Sequence, residues 1–172
     1  MMTGIARMFF DYVVKGKYQN NTREEKINKI LDEKKDRYDR TYMRMALEWA
    51  KLSHCNRAKV GSLIVKDGMI ISDGFNGTPT GFKNVCEDDS NDSHWYVIHS
   101  EANAILKCAK NGSSCKGATI YLTHSPCKDC AKMIHQSGIQ RLVYNKKYRD
   151  NDGIDFLEKS GLEIHFLNNM LD

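Results

Sequence analysis

Two short segments hold residues whose types and spacing suit metal-assisted acid–base chemistry: His99-Ser100-Glu101 and Pro126-Cys127-Lys128-Asp129-Cys130. Each stands at the start of a helical pattern. Cys127 and Cys130 are three positions apart, so on a helix both sulfurs point to one side. A helix N-terminus favours thiolate, because its unsatisfied N–H groups and its dipole stabilise negative charge. His99, at the start of the other helix, supplies a third ligand. Three protein ligands leave one tetrahedral position open for water, which is how catalytic zinc is held, whereas a structural site is closed by four. Glu101 is then free of the ligand set, placed to take a proton from a metal-activated water and pass it on. A lone C-x-x-C would also fit a redox pair or a structural zinc knuckle. The two halves together fit neither, because a knuckle has no use for a carboxylate two residues after a ligand.

Residues 42–53 repeat with helical period through Met43, Met45, Ala46, Trp49, Ala50 and Leu52. Residues 60–65 and 69–72 read as strands, joined at Lys66-Asp67-Gly68 as a hairpin. The stretch GFNGTPTGFKN is a loop, and residues 86–93 are acidic and also loop. Residues 101–110 form a helix that stops at Asn111-Gly112, and residues 127–136 one that stops at Ser137-Gly138. Residues 118–123, 142–145 and 162–167 are strands, with a helix over 154–160. This order predicts an α/β chain, a three-layer α/β/α fold around a central five-stranded mixed sheet. Its first two strands are antiparallel and the later ones largely parallel.

Composition bounds the rest. The chain has 172 residues, 26 Lys+Arg against 22 Asp+Glu, a formal charge of +4, 41% hydrophobic and 28% charged residues. These are globular values and exclude a fully disordered or collagen-like chain. The charge is too small for a nucleic-acid footprint unless it is clustered on one face. No apolar run approaches the ~18 residues of a membrane span. The opening MMTGIARMFFDYVVKGKY is broken by Asp11, lacks a small-residue cleavage site and does not read as a signal peptide. A reducing compartment follows, in which thiols serve as metal ligands or small core residues. Residues 20–40 are dominated by charge, with Ile27, Ile30 and Leu31 at helical spacing, Thr22 as N-cap and Glu25 three residues on. Residues 1–40 thus read as a charged helical N-terminal extension and 41–172 as the catalytic domain.

The segments GFNGTPTG, IHSEANAILKCAKNG and YLTHSPCKDCAKMIHQSGIQRLVY resemble the deoxycytidylate deaminase family, particularly its bacteriophage type, over about three quarters of the chain. H-x-E…P-C-x-x-C is also the signature of zinc-dependent nucleobase deaminases. The resemblance implies the cytidine deaminase-like fold and hydrolysis of dCMP to dUMP and ammonia, supplying dUMP for thymidylate synthesis. Zn2+ would sit on His99, Cys127 and Cys130, while Glu101 protonates N3 of cytosine and then the leaving amine. Ser100 stands where most relatives carry Ala. Asn76, Thr78, Lys110 and Tyr148 fall at positions that meet the substrate, with Lys110, Lys147, Arg149 and the loop amides of residues 76–81 as donors to its phosphate. Asn76 also suits a plain turn asparagine, and Lys110 plain compensation of a helix dipole.

The resemblance further implies a second, structural Zn2+ on Cys55, Cys86 and His94, with a fourth ligand unassigned. It implies a homo-oligomer, a hexamer favoured, with dCTP as activator accompanied by Mg2+ and dTTP as inhibitor. The setting is cytoplasmic, host cytoplasm if phage-encoded, with no membrane and no stable nucleic-acid partner. Cys108, Cys115, His124, His135 and His165 read as structural, His124 bordering the pocket. Two alternatives stay open. One is a tRNA adenosine deaminase or another nucleobase deaminase of the same fold, against which the GFNGTPTG loop and the weak charge argue. The other is a non-catalytic zinc-stabilised nucleic-acid-binding module.

Overall fold

The computed structural model describes the backbone of residues 4–168 and the side chains of residues 22–168. The side chains of the opening apolar stretch therefore lie outside the described residues. The first helix, α1, runs over Gly4–Ala50. The compositional shift near residue 40 does not break it, and Thr22 is a mid-helix residue rather than a cap. The reason is local: no Gly or Pro occurs between Lys17 and Ala50, and Glu, Lys and Arg are good helix formers. Charge decides which faces are wet and leaves the backbone path alone.

The chain divides into two compact units, at Tyr38/Asp39. In the first, residues 22–38 are all exposed, including Ile27, Ile30 and Leu31. The second begins with the last turns of α1. It continues with β1 (Gly61–Lys66), β2 (Met69–Phe75), α2 (Ser100–Lys110), β3 (Thr119–His124), α3 (Lys128–Gln136), β4 (Arg141–Lys146), α4 (Asp152–Lys159) and β5 (Glu163–Phe166).

The five strands form one sheet in the order β2-β1-β3-β4-β5. β1 pairs antiparallel with β2 and β3, and β3, β4 and β5 run parallel, as the sequence order predicts. The β1–β2 hairpin closes through Asp67 (φ 51°) and Gly68 (φ 76°), the two positive-φ residues that a tight hairpin turn requires. Parallel pairs need crossovers, and α3 and α4 provide them.

Side chains alternate along each strand, so the sheet has two buried faces. Leu63, Val65, Tyr121 and Val143 pack with Met43 and Ala46 of α1. Ile64, Ile120, Leu122 and Leu142 pack with Ala104 and Cys108 of α2, Ile134 of α3 and Leu157 of α4. The result, within the second unit, is a three-layer α/β/α sandwich with the last turns of α1 on one face and α2, α3 and α4 on the other. One ion pair ties the α1 face to the sheet. Arg141 donates two hydrogen bonds to the buried Asp39 carboxylate, at 2.8 and 2.6 Å, and the Tyr121 hydroxyl a third at 2.8 Å. Burial works against the Asp39 charge, but the hydrogen bonds from Arg141 and Tyr121 outweigh it and hold the carboxyl below its ordinary range. Among the described residues no helix is long and apolar enough to cross a membrane.

Candidate active site

Crevices in sheets of this kind open at the carboxyl ends of parallel strands. β3 ends at His124, and Ser125-Pro126-Cys127 then leads into α3, with Cys127 as the residue capping it at φ −69°, ψ 165°. The Ser125 N–H donates to Lys146 O at 2.7 Å, which fixes this loop to the end of β4. α2 starts in the same way, with His99 as its capping residue at φ −70°, ψ 154°. The backbone ahead of it is pinned by a bridge between Gly77 and Ile98. Neither side chain makes a capping hydrogen bond to its own helix, and both lie at the space between the two N-termini.

His99 Nδ1 lies 3.6 Å from Cys127 Sγ and 3.4 Å from Cys130 Sγ. Tetrahedral zinc with Zn–N near ~2.05 Å and Zn–S near ~2.3 Å sets N and S ligands about 3.5 Å apart. The donor set and its spacing therefore fit zinc. Among the described residues this is the one group of three whose ligand atoms converge for a metal. The charges suit it as well. Hydrogen bonds with Cys130 and His99 bring the Cys127 thiol down to about 3. Cys130 is pushed up, first by its hydrogen bond with Cys127 and then by burial. The hydrogen bond with Cys127 also raises His99, so metal binding, which needs His99 neutral and both sulfurs as thiolates, releases protons.

Glu101, on the first turn of α2, is 4% exposed. Burial raises its pKa, as acid–base work near neutral pH requires. The Ser100 hydroxyl donates to Glu101 Oε2 at 3.0 Å, and the Ser100 carbonyl accepts from the Ser62 hydroxyl of β1 at 2.8 Å. Ser100 therefore touches the carboxylate directly. On the far side, α4 packs close. A Cβ on Gly153 would run into the carbonyl oxygen of Pro126 and lie 3.1 Å from that of Cys127.

His99, Ser100, Glu101 and Cys127 line a cavity of about 680 Å³, a size suited to a nucleotide. Asn76 and Tyr148 border it as expected. The Asn76 amide also holds the entry to β1, accepting from Val60 N–H and donating to Ala58 O, both at 2.8 Å. The turn and ligand readings of Asn76 are therefore compatible. His124 borders the cavity too, and burial, then the charge of Lys146, keep its imidazole on the neutral side.

Other expectations are corrected. Lys110 closes the far end of the 11-residue α2, about 15 Å from His99 at 1.5 Å per residue, and is not on the cavity wall. Thr78 is off that wall as well, with its hydroxyl oxygen buried and unpartnered in the structure. Lys147 sits over the Phe166 ring, 5.8 Å from its centroid. Cys55 and Cys86 are brought together, but as a disulfide with Cα atoms 5.1 Å apart. The His94 ring stacks on Tyr96 at 4.9 Å, and a second zinc on these three residues stays a proposal. Sequence reasoning missed Arg57 and Trp95, both on the cavity wall with Arg149. An arginine four residues before β1 carried no signal until the fold brought residues 55–60 against residues 87–97.

Comparison with known proteins agrees with this geometry. The family model for the cytidine and deoxycytidylate deaminase zinc-binding region matches residues 36–146. Deoxycytidylate deaminase of Enterobacteria phage T4 is 37% identical over 167 residues, covering 72% of this chain and 86% of that protein. The enzyme of the same name from Mycobacterium phage D29 is 34% identical, covering 64% and 95% respectively. The crystal structure of dCMP deaminase from the cyanophage S-TIM5, in complex with dCMP and dUMP, superposes with a TM-score of 0.73 at 43% identity, covering 74% of this chain and 94% of that one.

Proposed function

The chain belongs to the cytidine and deoxycytidylate deaminase zinc-binding family, and on that premise we propose that it hydrolyses dCMP to dUMP and ammonia, supplying dUMP for thymidylate synthesis. One observation carries the reading. The convergent His99–Cys127–Cys130 set stands with the buried Glu101 at a nucleotide-sized cavity that His99, Glu101 and Cys127 line.

Zinc, when bound by His99, Cys127 and Cys130, supplies the Lewis acidity that activates a water for attack on C4. Glu101 accepts the proton that this water gives up and delivers it to N3 of cytosine. It then takes the remaining hydroxyl proton and passes it to the amino group, which leaves as ammonia. One water is consumed and Glu101 ends as it began. Burial serves both halves, because a raised pKa lets one carboxylate act as base and then acid.

The outer end of the cavity reads the phosphate. Arg57 and Arg149 stand on its wall, and two guanidinium groups match a group of nearly two negative charges. Arg57 is held by Asp92 at 3.3 Å and Arg149 by the Tyr148 hydroxyl at 2.7 Å. They replace Lys110 and Lys147 as the phosphate donors, while Asn76 and Tyr148 face the nucleoside.

The remaining readings rest on the resemblance. They are a homohexamer, activation by dCTP with Mg2+, inhibition by dTTP, a cytoplasmic setting (host cytoplasm if phage-encoded) and no stable nucleic-acid partner. Residues 41–172 form the deaminase domain and 1–40 a helical extension. A second zinc on Cys55, Cys86 and His94 requires both cysteines as thiolates. The zinc content of protein purified under reducing conditions decides it: two ions per chain support the second site, and one removes it. The test of the function is ammonia release from zinc-loaded protein given dCMP, deoxycytidine or dCTP in parallel. Turnover of dCMP well above the other two supports the reading. Turnover of none of them overturns it and returns adenosine in tRNA to consideration.

A further inference from the structure

Trp95 combines two properties that rarely meet. It borders the catalytic cavity, and it is 93% exposed, the highest value among the exposed large apolar residues of the described chain. A tryptophan usually buries most of its large apolar surface. The backbone on either side of it is fixed. The His94 N–H donates to Cys86 O at 2.8 Å, the Val97 N–H to His94 O at 3.0 Å, and Ile98 exchanges backbone bonds with Gly77. The neighbouring rings are packed as well, with Tyr96 stacked on His94 at 4.9 Å and tilted against Phe82 at 5.2 Å. The indole meets the Tyr96 ring at 5.7 Å and nearly perpendicular. A rigid turn therefore carries one unburied aromatic side chain at the edge of the site.

The rest of the cavity accounts for most of a pyrimidine nucleotide. Glu101 and the metal ligands meet the C4 edge, and Arg57 and Arg149 meet the phosphate. Of the wall residues 92–95 and 97, Trp95 is the one that carries a large, exposed aromatic ring. We propose that Trp95 is the cover of the bound nucleotide, its indole swinging in from solvent to lie across the exposed side of the pyrimidine deoxynucleotide. This rests on the dCMP reading and adds a specificity residue to it. A planar apolar cover favours a stacked nucleotide over a free phosphate or a bare sugar phosphate.

The test uses zinc-loaded protein carrying Trp49→Phe, which leaves Trp95 as the only tryptophan of the two in the chain. The expected result is a saturable change in tryptophan emission, shifted to the blue, on titration with dUMP, and none with inorganic phosphate. In the wild-type background, Trp95→Ala is expected to raise KM for dCMP about ten-fold, within the range of one base–aromatic stack, with kcat within about two-fold. Trp95→Phe recovers most of that loss. Emission unmoved by dUMP, or KM unchanged in Trp95→Ala while dCMP is still turned over, overturns the cover and leaves the dCMP reading intact. Emission already blue-shifted without ligand and moving to the red on dilution also overturns it, and points to a contact between subunits. Failure of the wild-type protein to turn over dCMP overturns the dCMP reading itself, and the cover with it.

Discussion

The inner end and the mouth of the cavity are built on different plans. At the inner end, His99, Glu101, Cys127 and Cys130 sit on the first residues of α2 and α3, two helix N-termini anchored to one sheet. Their positions follow from spacings of two and three residues, and burial and the hydrogen bonds among His99, Cys127 and Cys130 set their protonation. At the mouth, Arg57, Asp92, Trp95 and Arg149 come from three separate stretches of loop and are all exposed. The difference teaches where precision resides. Chemistry is held on rigid elements by short-range rules, while recognition is assembled from loops that only the folded chain brings together.

If that contrast is right, substitutions at the two ends fail in different ways. His99→Ala should show the largest effect. It should abolish stoichiometric zinc and take turnover to background, read by metal analysis and ammonia release on one preparation. At the mouth, Arg57→Ala should raise KM for dCMP about ten- to a hundred-fold, the range of a charge-assisted hydrogen bond, and leave kcat within a few-fold. An equal fall in kcat would break the comparison, because Arg57 would then act on the reacting atoms. Gly153→Ala probes the inner end from behind. Its Cβ would press α4 away from the loop carrying Cys127. It should cost about 1–3 kcal/mol of stability in thermal or urea unfolding and weaken zinc retention in competition with a chelator. The smallest effect is expected of Ser100→Ala. That change removes the hydroxyl from Glu101 Oε2 and should alter kcat by less than about three-fold with KM unchanged, since a carboxylate keeps most of its character when one neutral donor is lost.

What the sequence discloses divides along the same line. The five strands, their directions, α2 to α4 and the convergence of His99, Cys127 and Cys130 were legible because each rests on local period or spacing. The continuity of α1 through residue 40 was also in the sequence, as the absence of Gly or Pro, but charge density masked it. Lys110 was misplaced because a motif was carried over without counting helix rise; 11 residues of α2 put it at the wrong end. Arg57 and Trp95 were illegible for a different reason. Nothing near either residue in the chain marks it, and only the approach of residues 55–60 to residues 87–97 puts both at one mouth. Cys55 and Cys86, 31 residues apart, show the limit from the other side. Their meeting was anticipated, but residue type alone does not decide between a shared metal and a shared bond.

The central claim is that Glu101 moves the protons while His99, Cys127 and Cys130 hold the metal. The direct measurement is ammonia release from dCMP together with bound zinc, on matched preparations of wild type and Glu101→Gln. The account predicts full zinc in both, ammonia equal to dUMP formed in the wild type, and a loss in the variant of about a hundred- to ten-thousand-fold. A zinc-replete Glu101→Gln protein that turns over dCMP at the wild-type rate would contradict it.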